Sequence, residues 1–262
     1  MDLTGILSLP PQGLVVFLLV LVRAIAIFMV APVLGNTLVP LPVKVGLAFL
    51  LTVILAPFLV HQPLHVDVQN FWAIGLAVLQ ETAVGLMIGF IAQLLFVAMQ
   101  FAGQAIGLQM GFGLASVFDP SSQAQVSITA QLYLFVGILV FLLLNGHHYI
   151  IIALARSYHS IPLASFTLDA HAMNLLLRAT DDMFWVALML MAPVLGVLVL
   201  GEVSMAIVAR IMPQMNMFVA AFPVKIFLGI VTMALSFPLL VSYMGATTQQ
   251  SFDLVFRFLR VH

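Results

Sequence analysis

Six apolar runs constrain this chain more than any other feature: Leu14–Leu34, Val43–Val60, Phe71–Phe101, Val126–Ala155, Met183–Val208 and Met217–Met244. About 20 apolar residues cross a bilayer as an α-helix, so each run qualifies, or nearly qualifies, as a span. Only 6% of the residues are charged, against about 25% in soluble domains, so a water-facing surface cannot be built around these runs. Ten-residue blocks of period-two alternation are missing, which argues against a β-barrel. Backbone groups in lipid must find partners within their own segment, and this leaves an all-α integral membrane protein. Asp2 stands where a secretory signal would carry basic residues, and the first arginine, Arg23, lies inside the apolar run. The segment from Leu14 onward is therefore expected to stay in the membrane.

Charge and motif content narrow the function classes. A net charge of −1 offers no basic field for nucleic acid. The chain has no Cys, which excludes disulfides, thiol catalysis and Cys-based metal sites. There is no P-loop, dinucleotide fingerprint, nucleophile elbow or His-Glu-x-x-His, so no catalytic residue, cofactor site or metal site is expected. His147, His148 and His159 could suggest a metal, but adjacent histidines on a helix chelate one ion poorly and read better as interfacial residues. Met205, Met212, Met215 and Met217 could form a soft collar, or simply pack. Six crossings would put Arg156, Arg178, Arg257 and Arg260 on one side, and Lys44 and Arg210 on the other. That tally does not orient the chain.

The sequence repeats itself. A shift of 181 positions carries Pro32, Pro42, Val43, Lys44, Leu47, Pro57, Leu59 and Val60 onto Pro213, Pro223, Val224, Lys225, Leu228, Pro238, Leu240 and Val241. Each copy reads as helix, Pro-containing turn, Pro-Val-Lys, helix, Pro. The reading is a helical hairpin used twice, with Pro42/Lys44 and Pro223/Lys225 at its tips and the lysines holding those tips at a polar boundary.

Polar and small residues recur at helical spacing. Glu81, Gly85, Gly89 and Gln93 fall every four residues; after one gap Gln100, Gln104, Gly107 and Gly111 continue the stripe, with Gly103 beside it and Glu202 in the fifth run. Small residues let another backbone come close, and the amides can bond across that contact. Such a stripe is a helix–helix seam, or a seam that also lines a water-filled path. Charged groups such as Glu81 and Glu202 are costly in hydrocarbon and are expected to face protein or water. The stretch that follows contains Met110, Gly111, Phe112, Gly113, Leu114, Phe118, Asp119 and Pro120. Its glycines permit non-helical backbone, and Asp119-Pro120 reads as a helix start. It is either an ordinary surface turn or a re-entrant loop buried in protein.

These residues together resemble a known family. Arg23 with Met29-Val-Ala-Pro-Val-Leu-Gly35 and Pro42-Val-Lys44 is similar to the opening of the FliR family of flagellar export-gate proteins, whose injectisome counterpart is SctT. Glu81-x-x-x-Gly-x-x-x-Gly89, Gly103-x-x-x-Gly-Leu-Gln-Met-Gly111, Phe118-Asp-Pro120, Asn145-Gly-His147, Gly201-Glu202, Pro213-Gln-Met-Asn216 and Phe222-Pro-Val-Lys225 continue the likeness from about residue 15 to 245.

The resemblance implies a single membrane domain. About 1–180 would be a FliP-like part, about 181–245 a FliQ-like hairpin, and 246–262 a short tail. It implies FliP-like and FliQ-like partners in a helical export-gate assembly, with FlhB-like and FlhA-like components nearby. Unfolded protein would be the substrate, and the bacterial inner membrane at the flagellar basal body the location. Much of the assembly would sit above the usual membrane plane. The loop from Met110 to Pro120 would plug the closed pore, and the Pro-Val-Lys tips would point to the cytoplasm. Two other functions suit the bare sequence: secondary transport of a small solute, using the repeat with Glu81 and Glu202, and a non-conducting assembly scaffold.

Overall fold

The structure, a computed structural model, describes residues 11–36, 39–60, 64, 66–67, 69–112, 127–212, 214 and 217–260. Among these residues every regular element is an α-helix: α1 (Pro11–Val30), α2 (Leu41–Leu59), α3 (Phe71–Met110), α4 (Ile128–Leu143), α5 (Gly146–Ser160), α6 (Ala170–Ile211) and α7 (Met217–Arg260). Five of them, α1, α2, α3, α6 and α7, are long and apolar enough to cross a membrane. The chain is an all-α integral membrane protein.

The helix boundaries follow local chemistry. Pro40, at φ −59° and ψ 141°, precedes α2, and Pro42 sits in its first turn, where a missing N–H costs nothing. Asn70 Oδ1 accepts from the Trp72 N–H at 3.0 Å and opens α3; Asp169 Oδ1 accepts from the Ala172 N–H at 2.8 Å and opens α6. At the end of α3, Gly111 takes φ 93°. The Phe112 N–H donates to Gly107 O and the Gly111 N–H to Leu108 O, each at 3.0 Å. This is a Schellman ending, and its left-handed position is the reason for a glycine there.

The expected single segment Val126–Ala155 is corrected to two helices. The break falls at Leu144–Asn145, where Asn145 takes φ 55°. Asn tolerates that conformation better than most residues, so Asn145-Gly146 was a turn signal inside an apolar run. The segment expected as a tail after residue 245 is helical to Arg260, as the last part of α7.

The chain forms two compact units. The first comprises Met1–Leu94, Asn145–Thr180 and Gln250–His262. In it α1 lies against α2, with Phe17 and Phe49 edge-on at 5.7 Å, and Tyr149 stacks on Phe252 at 5.1 Å. The second comprises Leu95–Leu144 and Asp181–Gln249. Phe96 and Phe141 meet edge-on at 5.2 Å in its core, where Thr129 also donates to Gly103 O at 2.6 Å.

Candidate functional site

A buried charge junction organises the first unit. Arg23, halfway along α1, and Glu81, in α3, are both fully buried, with Arg23 Nε 2.5 Å from Glu81 Oε2. Two charges this deep lose far more hydration than a lone pairing returns, so every remaining donor and acceptor matters. The donors and acceptors are spoken for. Arg23 Nη1 donates to Ser157 Oγ and to Ile161 O, and Nη2 donates to Ile161 O, all at 3.1 Å. Its guanidinium lies 4.6 Å from the centre of the Tyr158 ring, and the Tyr158 hydroxyl donates to Val20 O at 3.0 Å. Glu81 Oε1 accepts the Ala164 N–H at 2.9 Å, at a residue held in the left-handed region, φ 57°. One ion pair thereby ties α1, α3, α5 and the turn after α5. The sequence marked Arg23 and Glu81 singly as costly; it did not join them, and it missed Ser157, Tyr158 and Ala164. A serine and a tyrosine side by side in an apolar stretch were the available signal.

The glycines after Glu81 explain how α1 and α3 come close enough to form that pair. A Cβ on Gly85 would stand 2.6 Å from Ala26 Cβ and 2.7 Å from Arg23 O; on Gly89 it would stand 3.0 Å from Val30 Cβ. In the second unit Gly103 faces Ala130 Cα at 2.6 Å, and Gly107 abuts Ser127 and Thr129. Not all of the expected stripe joins the seam. Gln93 is half-buried, whereas Gln100 and Gln104 are exposed, because the packed face of α3 is carried by the glycines flanking them.

In the second unit the end of α3 is fastened to the α6–α7 pair. Gln109 Nε2 donates to Glu202 Oε2 at 3.0 Å, and Lys225 Nζ pairs with Glu202 Oε1. Met110 packs against Gly229. An apolar cavity of about 450 Å³ lies beside them, lined by Met110, Phe112, Leu132, Tyr133, Met233 and Phe237 among others. Of the expected plug residues, Met110, Gly111 and Phe112 are placed here; Gly113, Leu114, Phe118, Asp119 and Pro120 lie outside the described residues.

The repeat is visible in helix ends but not in the lysines. α1 ends at Val30 and α6 at Ile211, the same point under the shift, and Pro57 and Pro238 both fall inside helices. Lys44 is in the first turn of α2, buried, donating to Gly35 O at 3.1 Å. Pro223 and Lys225 are not at a tip: α7 begins at Met217 and carries both inside it, where Lys225 reaches Glu202. Neither lysine snorkels outward. The rings of His147 and His148 lie 4.3 Å apart, and no group of three His, Cys, Asp or Glu gathers among the described residues. Met205 is half-buried and Met212 exposed; the Met215 position and the Met217 side chain lie outside the description.

Comparison with known proteins fits this geometry. The family described as Bacterial export proteins, family 1, matches residues 14–251. The flagellar biosynthetic protein FliR of Escherichia coli (strain K12) is 34% identical over 235 residues, covering 90% of this chain and 89% of that protein. FliR of Pectobacterium carotovorum is 32% identical over 238 residues, covering 89% and 88%. FliR of Bacillus subtilis (strain 168) is 33% identical over 214 residues, covering 80% and 81%. With a match running through both units, from α1 into the last part of α7, the chain belongs to family 1 of the bacterial export proteins, the FliR family.

Proposed function

We propose that this chain is a membrane-embedded component of the flagellar protein export apparatus, acting as a pore-forming subunit without chemistry of its own. Its partners are FliP-like and FliQ-like subunits, with FlhB-like and FlhA-like components nearby. Its cargo is unfolded flagellar protein, and its place is the inner membrane at the basal body. Family membership over nearly the whole chain carries this reading. The side-chain chemistry supports it. Glu81 and Glu202, the carboxylates that a coupled solute transporter would use, are both paired to cations, and the cavity beside Met110 is apolar rather than a polar solute site.

The loop from Met110 to Pro120 is the part proposed to close the pore. Bulky apolar side chains on a glycine-permitted backbone exclude water when packed and can still yield to a passing chain. Its first residues leave a helix end pinned by Gln109 and Met110. Shortening the loop within Gly111–Ser116 is expected to leave the complex assembled but leaky to ions, with assembly and leakage measured on one sample. A shortened chain that assembles in a tight membrane would show the loop to be an ordinary turn.

A further inference from the structure

The apolar cavity of the second unit is a pocket with a floor. Met110 at the end of α3, Tyr133 and Val136 on α4 and Leu240 on α7 are buried at its base, whereas Ile128, Ile230 and Phe237 stand exposed at its mouth. Its walls are held by contacts made outside it. A Cβ on Gly229 of α7 would stand 2.7 Å from the Met110 sulfur, and one on Gly103 of α3 would stand 2.6 Å from Ala130 Cα on α4. These close approaches fix three helices around a space that they do not fill.

Size narrows the occupant. The cavity holds about 450 Å³. An apolar cavity of roughly 150 Å³ stays dry and takes up benzene, so this one suits a molecule of two or three rings. A single turn of helix, about 10 Å across and 5.4 Å tall, would use up the whole volume, so no helix of another chain seats in it.

The lining narrows it further. Thr129 and Tyr133 are the polar side chains in the wall, and both are satisfied. Thr129 donates to Gly103 O at 2.6 Å, and the Tyr133 hydroxyl is hydrogen-bonded to the Ser236 side chain. A guest therefore finds no free side-chain partner, and any donor it carried would be stripped of water without return. What the wall does offer is aromatic faces and edges, from Phe112, Tyr133 and Phe237, and two thioethers, Met110 and Met233. Rings gain edge-to-face and sulfur contacts there that an aliphatic chain does not.

We infer that this cavity is a binding site for a neutral aromatic molecule of two or three rings with little hydrogen-bonding capacity. Binding does not depend on the export reading. Under that reading the guest would touch Phe112, the first ring of the loop proposed to close the pore.

Benzophenone is a two-ring probe whose excited carbonyl takes hydrogen from a nearby C–H bond and then joins the carbon, readily so beside a methionine sulfur. The chain with its co-purifying subunits, in vesicles of phosphatidylethanolamine and phosphatidylglycerol, is irradiated with increasing benzophenone and mapped by mass spectrometry. Adducts at Met110 or Met233 should saturate and should fall severalfold with excess biphenyl. Ala234→Phe, which puts a ring into the cavity, should lower them equally. Adducts at Met189 and Met212, which are exposed elsewhere on the chain, should rise in proportion to the probe and ignore biphenyl. Labelling of all four methionines without saturation would mean partition into lipid alone. Labelling that spares Met110 and Met233 would mean that an acyl chain or another subunit fills the space; either result overturns the inference. The biphenyl competition uses the unaltered chain, so it decides the matter even if Ala234→Phe does not assemble.

Discussion

Arg23 and Glu81 show how a membrane protein keeps charge where charge is expensive. The pair survives because each hydrogen-bonding edge is met by a group from a different segment. Removing one member leaves the other ionised and unpaired in an apolar site, a change that costs about 3–5 kcal/mol in comparable buried pairs. Glu81→Leu should therefore reduce recovery of folded complex strongly. Asp169→Leu removes only a helix cap, worth about 1 kcal/mol, and should reduce it little. Glu202→Leu should fall between them, since Glu202 and Lys225 keep side-chain exposures of 41% and 21% and water can rescue the survivor. Equal recovery of all three variants from one membrane preparation would refute the ranking. The identity of the costly residues was legible in the sequence, because a lone Arg or Glu in an apolar run has few explanations. Their pairing was not: positions 23, 81 and 157 become neighbours only once three helices are packed, and nothing local encodes that.

At the scale of elements, glycine positions decide which helices meet. The spacing of Glu81, Gly85 and Gly89 announced a seam on α3, and the structure supplies α1 as the opposing helix. The sequence could not supply the partner, since any apolar helix with small residues would have fitted. The same limit explains Lys225. Pro-Val-Lys reads as a tip in both copies of the repeat, but a proline inside a membrane helix is tolerated when neighbours re-satisfy the freed carbonyl. The second copy therefore starts its helix earlier than the first, at Met217. A direct test compares two glycines of α3. Gly85→Ala places a methyl carbon 2.6 Å from Ala26 Cβ and 2.7 Å from a backbone oxygen, a clash that only separation of α1 and α3 relieves. Gly75→Ala meets nothing within 4 Å, so it should be neutral or stabilise α3 by about 0.5–1 kcal/mol. Thermal stability of the solubilised protein should drop for the first variant and hold or rise for the second. A Gly85→Ala protein as stable as its parent would mean that the α1–α3 approach is not as close as described.

Across the molecule, burial is uneven in a way that bears on assembly. The apolar windows of α1 and α3 are 56% and 67% buried, whereas those of α2, α6 and α7 are 22%, 33% and 11% buried. Large uncovered apolar faces belong against lipid or against other subunits. All three helices expose bulky side chains, Phe58, Leu200 and Leu235 among them. The exposed surfaces of α6 and α7 also include Gly196, Ser204, Ala206 and Ala234, small residues that invite a close helix. In water-free surroundings a seam of this sort gains little until its partner arrives, because packing rather than hydrophobic exclusion drives the association. The chain expressed alone is thus expected to be short-lived or aggregated, and co-expression with FliP-like and FliQ-like subunits should restore a monodisperse complex. Size-exclusion chromatography in mild detergent, with and without those subunits, reads the outcome directly. A thermally stable monomer that gains nothing from the subunits would mean that the α6 and α7 faces are covered by lipid. The small residues on them would then need another explanation, such as close contact between two copies of this chain, which the same chromatogram would register as a dimer.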